Sequence, residues 1–255
     1  MRPDSELFLR ALSGRDGDWD YCEALRAIDT RPNLKNTRAI YRYLKDWGAL
    51  GRNLPRCPDD GEKPLTHPQR KAWEAWNREL VGWLSRGDVK HALRSLRTRA
   101  HRLESVQNWK VVGDRVTFLF DSLKRTMGKG FGVAAVGKTL HILLPDLCVV
   151  WDNKWVLDRQ RPGGDWYDQD GAGYVCYLKN RQQILKRLRK DLRSRYGLKT
   201  DQEALRWLWD HRNDYCPSQK PRITKLLDEI NYYDDEDEEI RSLLLTPANG
   251  READE

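Results

Sequence analysis

The residues best suited to chemistry lie between Met127 and Asp152, in the stretch MGKGFGVAAVGKTLHILLPDLCVVWD. Gly130 and Gly132 bracket Phe131 in a Gly-x-Gly turn, and a short apolar helical pattern follows. Pro145 breaks that pattern, a crossover runs through Cys148, Val149 and Val150, and the stretch ends on Asp152 beside Trp151. A glycine turn that opens a helix offers backbone N–H groups to a phosphate. A carboxylate at the end of the crossover can then deprotonate or orient a water, or stabilise positive charge developing nearby. Asn153 and Lys154 are placed to bond that carboxylate or the phosphate, and Trp151 to wall it from bulk water. The structural alternative for Asp152 is the N-cap of a following helix, which Asp fills readily.

The elements that must position these residues read as helices. Asn36 or Thr37 can cap a helix with Ile40, Tyr41, Leu44 and Trp47 as its stripe. Residues 48–67 form a Pro/Gly-rich connector, and Pro68 suits the first turn of a helix carrying Trp73, Trp76, Leu80 and Trp83. After Gly87 and Asp88, a basic helix is expected to turn Leu93, Leu96, Ala100 and Leu103 inward. Val116, Leu119, Phe120 and Leu123 mark the helix leading into the glycine turn. Beyond Asp152, a loop over 158–173 is rich in Asp and Gly. The most basic helix spans roughly 174–196, with Ile184, Leu185, Leu188, Leu192 and Tyr196 as its apolar stripe. Lys179, Arg181, Lys186, Arg187, Arg189, Lys190, Arg193 and Arg195 occupy its other faces. Thr200 with Glu203 forms a capping box before Leu205, Leu208 and Trp209, and a last helix runs from about Lys220 to Tyr232. Leu147 to Trp151 is the only β-like run and is too short to imply a sheet. The expected class is all-α, with two helical lobes flanking a cleft as a compatible arrangement.

Charge is unevenly placed. The chain carries 46 Lys+Arg against 39 Asp+Glu. Residues 231–255 hold nine acids and two bases, so 1–230 forms a basic helical body with a net charge of +14, and 231–255 an acidic tail. A basic body suits a polyanion partner, although a charged helix face is often simply solvated. The start, MRPDSELFLRALSG, lacks the apolar region of a secretory signal, and no apolar run approaches the ~20 residues that span a bilayer. No membrane association is expected, and the expected location is cytoplasmic. The five cysteines are scattered without a C-x-x-C pair, which argues against structural zinc, an iron–sulfur cluster or a disulfide framework. Neither a cofactor, a metal nor an obligate protein partner is implied.

Gly130-Phe131-Gly132 between two helices resembles the hairpin of the helix–hairpin–helix DNA glycosylase superfamily. There the hairpin amides grip a DNA phosphate, and a catalytic aspartate lies about twenty residues beyond the second hairpin glycine. Asp152 lies twenty residues after Gly132, past Pro145 and the apolar run. The match covers about a tenth of the chain. Bifunctional members of the superfamily place a lysine nucleophile two residues after the second glycine, where this chain has Ala134. The resemblance therefore implies hydrolysis by Asp152 rather than a Schiff base, with Lys138, one helical turn further on, as the remaining lyase candidate. His141 reads as a satisfied buried polar group rather than a base.

What the resemblance implies about substrate is double-stranded DNA with a modified base flipped into a pocket. Trp109, Trp151, Trp155, Trp166 and Tyr167 are the base-pocket candidates, with core packing as the alternative for each. Lys186, Arg187, Arg189, Lys190 and Arg193 are the DNA-facing candidates on the basic helix. The loop at 158–173 sets Trp166 and Tyr167 among Asp158, Asp165, Asp168, Gln169 and Asp170. Aromatic faces beside carboxylates and amides suit hydroxyl-rich groups. This tilts the reading from a damaged base toward a hypermodified phage base, such as glucosylated hydroxymethylcytosine, and toward antiviral defence. A solvated loop, and a non-catalytic DNA-binding protein, are the plainer readings.

Overall fold

Apolar stripes at helical spacing account for the elements found. The computed structural model describes residues 34–46, 57–58, 64–128, 130–151, 168–210 and 222–229, and every regular element among them is helical. They are α1 (Leu34–Asp46), α2 (His67–Ser85), α3 (Gly87–Leu96), two 3-10 turns (Arg99–His101 and Leu103–Ser105), α4 (Trp109–Met127), α5 (Val133–Leu143), α6 (Gly171–Tyr196), α7 (Asp201–Asp210) and α8 (Ile223–Glu229). The acidic tail and the 158–167 part of the loop lie outside the described residues. Among the described residues no helix is long and apolar enough to cross a membrane.

α4 is the central helix. Val116, Leu119, Phe120 and Leu123 are fully buried, and α2, α3, α5 and α6 all pack on it. Trp83 of α2 donates its indole N–H to Ser122 Oγ at 2.9 Å, satisfying a polar atom inside the core. Tyr41 of α1 meets Trp73 and Trp76 edge-on at 4.8 and 5.4 Å between ring centres, the geometry that ring quadrupoles favour.

The tightest helix contact joins α4 and α6, and glycines set it. A Cβ on Gly171 would sit 2.6 Å from Thr117 Cα and 2.7 Å from Thr117 O, and one on Gly113 would sit 3.2 Å from Val175 Cγ1. Gly171 also donates its N–H to Asp121 Oδ1 at 2.8 Å, and Lys124 Nζ donates to Gln169 O at 2.5 Å. Asp170 caps α6 by accepting from Gly173 N at 2.8 Å.

Several boundaries differ from the sequence-based expectation. α1 starts at Leu34, so Thr37 is a buried helical residue bonded to Asn77 Oδ1 and not a cap. α3 ends at Leu96. Thr98 is extended and the His101 ring bonds Ser95 O at 2.8 Å, so Ala100 is exposed while Leu103 is buried. α6 begins at Gly171, and Tyr196 is 40% exposed, stacked on Trp207 at 4.3 Å. The Thr200–Glu203 capping box is present: Glu203 N donates to Thr200 Oγ1 at 3.1 Å, and Thr200 N to Glu203 Oε2 at 3.3 Å.

Candidate functional site: the glycine turn and the crossover

α4 stops because the chain turns left-handed. Gly128 has φ of 67° and Gly130 a φ of 104°, a region that costs any other residue strain. Phe131 N donates to Gly128 O at 3.3 Å, and the Phe131 side chain is buried, pinning the turn to the core. Gly132 then starts α5 as its N-cap and brings no side chain to it. The first-turn N–H groups of a helix have no intrahelical acceptor, and here they follow an exposed glycine. The positive end of the helix dipole and these donors together favour an anion.

The crossover after α5 is held without a sheet. His141 bonds Cys148 O through Nδ1 at 2.6 Å, Tyr174 Oη donates to Val149 O at 2.7 Å, and Tyr177 Oη donates to Val150 O at 2.8 Å. Three consecutive carbonyls thus find partners on α5 and α6, which is why a β-like run needs no strand partner. Its far side is also fixed. Leu103 N donates to Asp146 O at 2.9 Å, Arg222 pairs with Asp146 at 2.8 Å, and Thr224 Oγ1 donates to Pro145 O.

Trp151 closes the crossover onto α5. A Cβ on Gly137 would lie 3.1 Å from Trp151 Cβ and 3.2 Å from Trp151 N, so only the missing side chain lets the two backbones approach. The indole is fully buried, stacked with Tyr174 at 5.4 Å and Tyr177 at 6.1 Å. Packing is the role the structure gives Trp151. Trp109, half-buried, donates to Gln182 Oε1 at 2.9 Å, while Gln182 Nε2 donates to the carbonyls of Leu103 and Val106. Its indole is thereby tied to a buried amide. Asp152, Asn153, Lys154, Trp155, Trp166 and Tyr167 lie outside the described residues.

Lys138 is 1% exposed, so its stem points into the core and not toward an open cleft. His141 is fully buried, and its pKa is lowered to about 3, first by burial and further by the Lys225 charge, against the opposing bond to Cys148 O. It is therefore neutral in the folded protein, as expected of a structural group. The Cys148 thiol is pushed up to about 12 by burial, which removes it as a nucleophile.

The His141 shift carries a stability consequence. The unfolded chain binds a proton near pH 6.5, whereas the folded chain does so only near 3. Stability is therefore full above pH 6.5 and falls as pH drops toward 3, by about 2 kcal/mol at pH 5. Denaturant titrations at pH 7.5 and pH 5 should show this loss, and His141→Asn, which cannot titrate, should show less of it. An equal loss in both proteins contradicts the assignment.

On the basic helix the five cations separate. Lys186, Lys190 and Arg193 are exposed along one stripe and line an open groove of about 510 Å³ with Ser194, Leu198 and Asp201. Arg187 is half-buried. Arg189 is 7% exposed, pairs with Asp201 at 3.2 Å, and belongs to the packing rather than to a DNA-facing surface.

Arg181, expected outside the apolar stripe of the helix, is fully buried with its Cζ 4.7 Å from the centre of the Tyr177 ring. The spacing contains the signal: Arg181 stands four residues after Tyr177 and seven after Tyr174, on their helical face. A desolvated cation–π contact contributes about 2 kcal/mol, less than the several kcal/mol that removing an ion from water costs.

Comparison with protein-family models, with curated proteins and with solved structures finds no match for this chain. Among the described residues, no group of three His, Cys, Asp or Glu side chains is arranged to hold a metal ion.

Proposed function

We propose that this protein is a monofunctional DNA glycosylase on a helix–hairpin–helix-like scaffold. Asp152 drives hydrolysis of the N-glycosidic bond, and the Gly130–Gly132 turn holds a backbone phosphate. The observation that carries this reading is that the glycine turn and the described end of the crossover, at Trp151, meet the same short helix. The turn opens α5, and the end of the crossover packs on Gly137 five residues later. That is about 7.5 Å along the helix axis. Asp152 follows Trp151 in the sequence, so this anchored end of the crossover is proposed as the point that supplies the carboxylate. Rigid elements are where reacting groups are best held in register.

In the proposed reaction the flipped nucleotide loses its base through an oxocarbenium-like sugar. The ionised Asp152 stabilises that charge and orients or deprotonates the attacking water. The burial of Lys138 and the alanine at 134 favour hydrolysis over lyase chemistry. A hypermodified phage base is the proposed substrate, on the strength of the aromatic and acidic residues at 158–170. Glucosylated phage DNA and unmodified DNA are treated side by side and assayed for abasic sites. Sites in the phage DNA alone support antiviral excision. Equal activity on both supports a repair enzyme, and none on either supports a non-catalytic binder.

The exposed stripe on α6 supports DNA contact. Changing Lys186, Lys190 and Arg193 together to Gln should flatten the slope of log affinity against log salt by about 3, since each phosphate contact contributes roughly 0.9. Fluorescence anisotropy across a salt series measures it. An unchanged slope places the DNA elsewhere.

A further inference from the structure

Among the described residues, none of the three guanidinium nitrogens of Arg181 has a hydrogen-bond partner, although the side chain is 0% exposed. A guanidinium does not shed its charge inside a protein, so burial cannot be relieved by losing a proton. Tyr177 offers its ring face at 4.7 Å, which compensates the charge in part and none of the five N–H donors. Two other buried cations are paired: Lys225 with Asp228 at 3.2 Å, and Arg189 with Asp201 at 3.2 Å. Position adds to the contrast. Tyr177 bonds Val150 O and stacks on Trp151, so the unpaired cation adjoins the aromatic group that terminates the crossover.

We propose that Arg181 is the receptor for a phosphate oxyanion, gripped by its planar fork of donors with the Tyr177 ring as one wall. Two parallel N–H···O bonds from one guanidinium match two phosphate oxygens, and in a water-poor site such charge-assisted bonds are strong. The site does not depend on glycosidic cleavage, because any phosphate-bearing ligand satisfies the same donors. It is distinct from the amides that open α5, since its donors come from a side chain on α6. The guanidinium has no exposed surface in this arrangement, so the anion enters with a rearrangement of its cover, and association is slower than at a preformed site.

The test uses the full chain as wild type, Arg181→Met and Arg181→Lys, melted first in chloride buffer free of oxyanions and then across a titration of inorganic phosphate. Without phosphate, Arg181→Met should melt above the wild type, because an unpaired buried charge is gone. At a hundredfold excess over the dissociation constant, phosphate should raise the wild-type Tm by about 5 °C or more. It should leave Arg181→Met unmoved and raise Arg181→Lys by less. Equilibrium dialysis with labelled phosphate should find one bound equivalent on the wild type. Displacement of that label by a short DNA duplex assigns the site to a backbone phosphate, and retention assigns it to a free or terminal phosphate. The proposal is overturned if the wild type neither retains phosphate nor gains Tm, or if Arg181→Met responds as the wild type does. Should the Met variant fail to fold, wild-type dialysis and the Lys variant decide the matter alone.

Discussion

Asp152→Asn should lower base excision by about a thousandfold while leaving affinity for the same DNA unchanged, within the range that one general acid–base group supplies. Asparagine keeps the size of the side chain and removes the charge. It can still accept a bond from water, but it can neither take a proton nor oppose an oxocarbenium ion. The segment that delivers residue 152 should be undisturbed. Trp151 is locked by its stack with Tyr174 and Tyr177 and by backbone contact with Gly137, and Val150 O by Tyr177 Oη at 2.8 Å. Single-turnover excision and a binding isotherm on one substrate separate the two effects. Full excision by Asp152→Asn removes the carboxylate from the chemistry and leaves it the capping role that Asp also fills.

Gly171→Ala should be strongly destabilising, because it forces the two most closely packed helices apart. The added Cβ would meet backbone atoms of Thr117 at 2.6, 2.7 and 3.0 Å, and backbone in the middle of α4 cannot swing aside as a side-chain tip can. Separating α4 from α6 loosens the seam that carries Tyr174 and Tyr177 to the crossover. A cost of about 3 kcal/mol or more is expected, at the upper end for overpacking, or a fall in Tm of roughly 6–12 °C. Gly82→Ala is the control. Nothing lies within 4 Å of its added methyl, it sits inside α2, and it should stabilise by about 0.5–1 kcal/mol. Thermal melts of the three proteins check both signs, and a Gly171→Ala protein as stable as the wild type contradicts the close α4–α6 contact.

Periodicity makes most of the scaffold legible. The stripes of α2 and α4 are written in Trp and Leu at three- and four-residue spacing, and the Thr200–Glu203 box announces α7. Charge is what misleads. Arg181 reads as a cation off the apolar stripe and Arg189 as a DNA-facing candidate because arginine is mostly exposed, yet the register of α6 carries both inward, where one meets an aromatic ring and the other an aspartate. The glycine turn is legible from composition, since left-handed backbone at Gly128 and Gly130 selects glycine. The lock on the crossover is not. It depends on hydroxyls from Tyr174 and Tyr177 reaching carbonyls 25 and 27 residues away, a pairing no local pattern encodes. Gly137 is similar: its purpose shows only when Trp151 arrives against it.

Cleavage of a base from its sugar by Asp152 is read without intermediaries by mass spectrometry of the small molecules released from DNA. Glucosylated phage DNA incubated with the wild-type protein should release the intact modified base, leaving abasic sites in unbroken strands, and Asp152→Asn should release none above background. Release of no base from that DNA or from a panel of damaged and genomic DNAs, by a protein that nonetheless binds them, contradicts it.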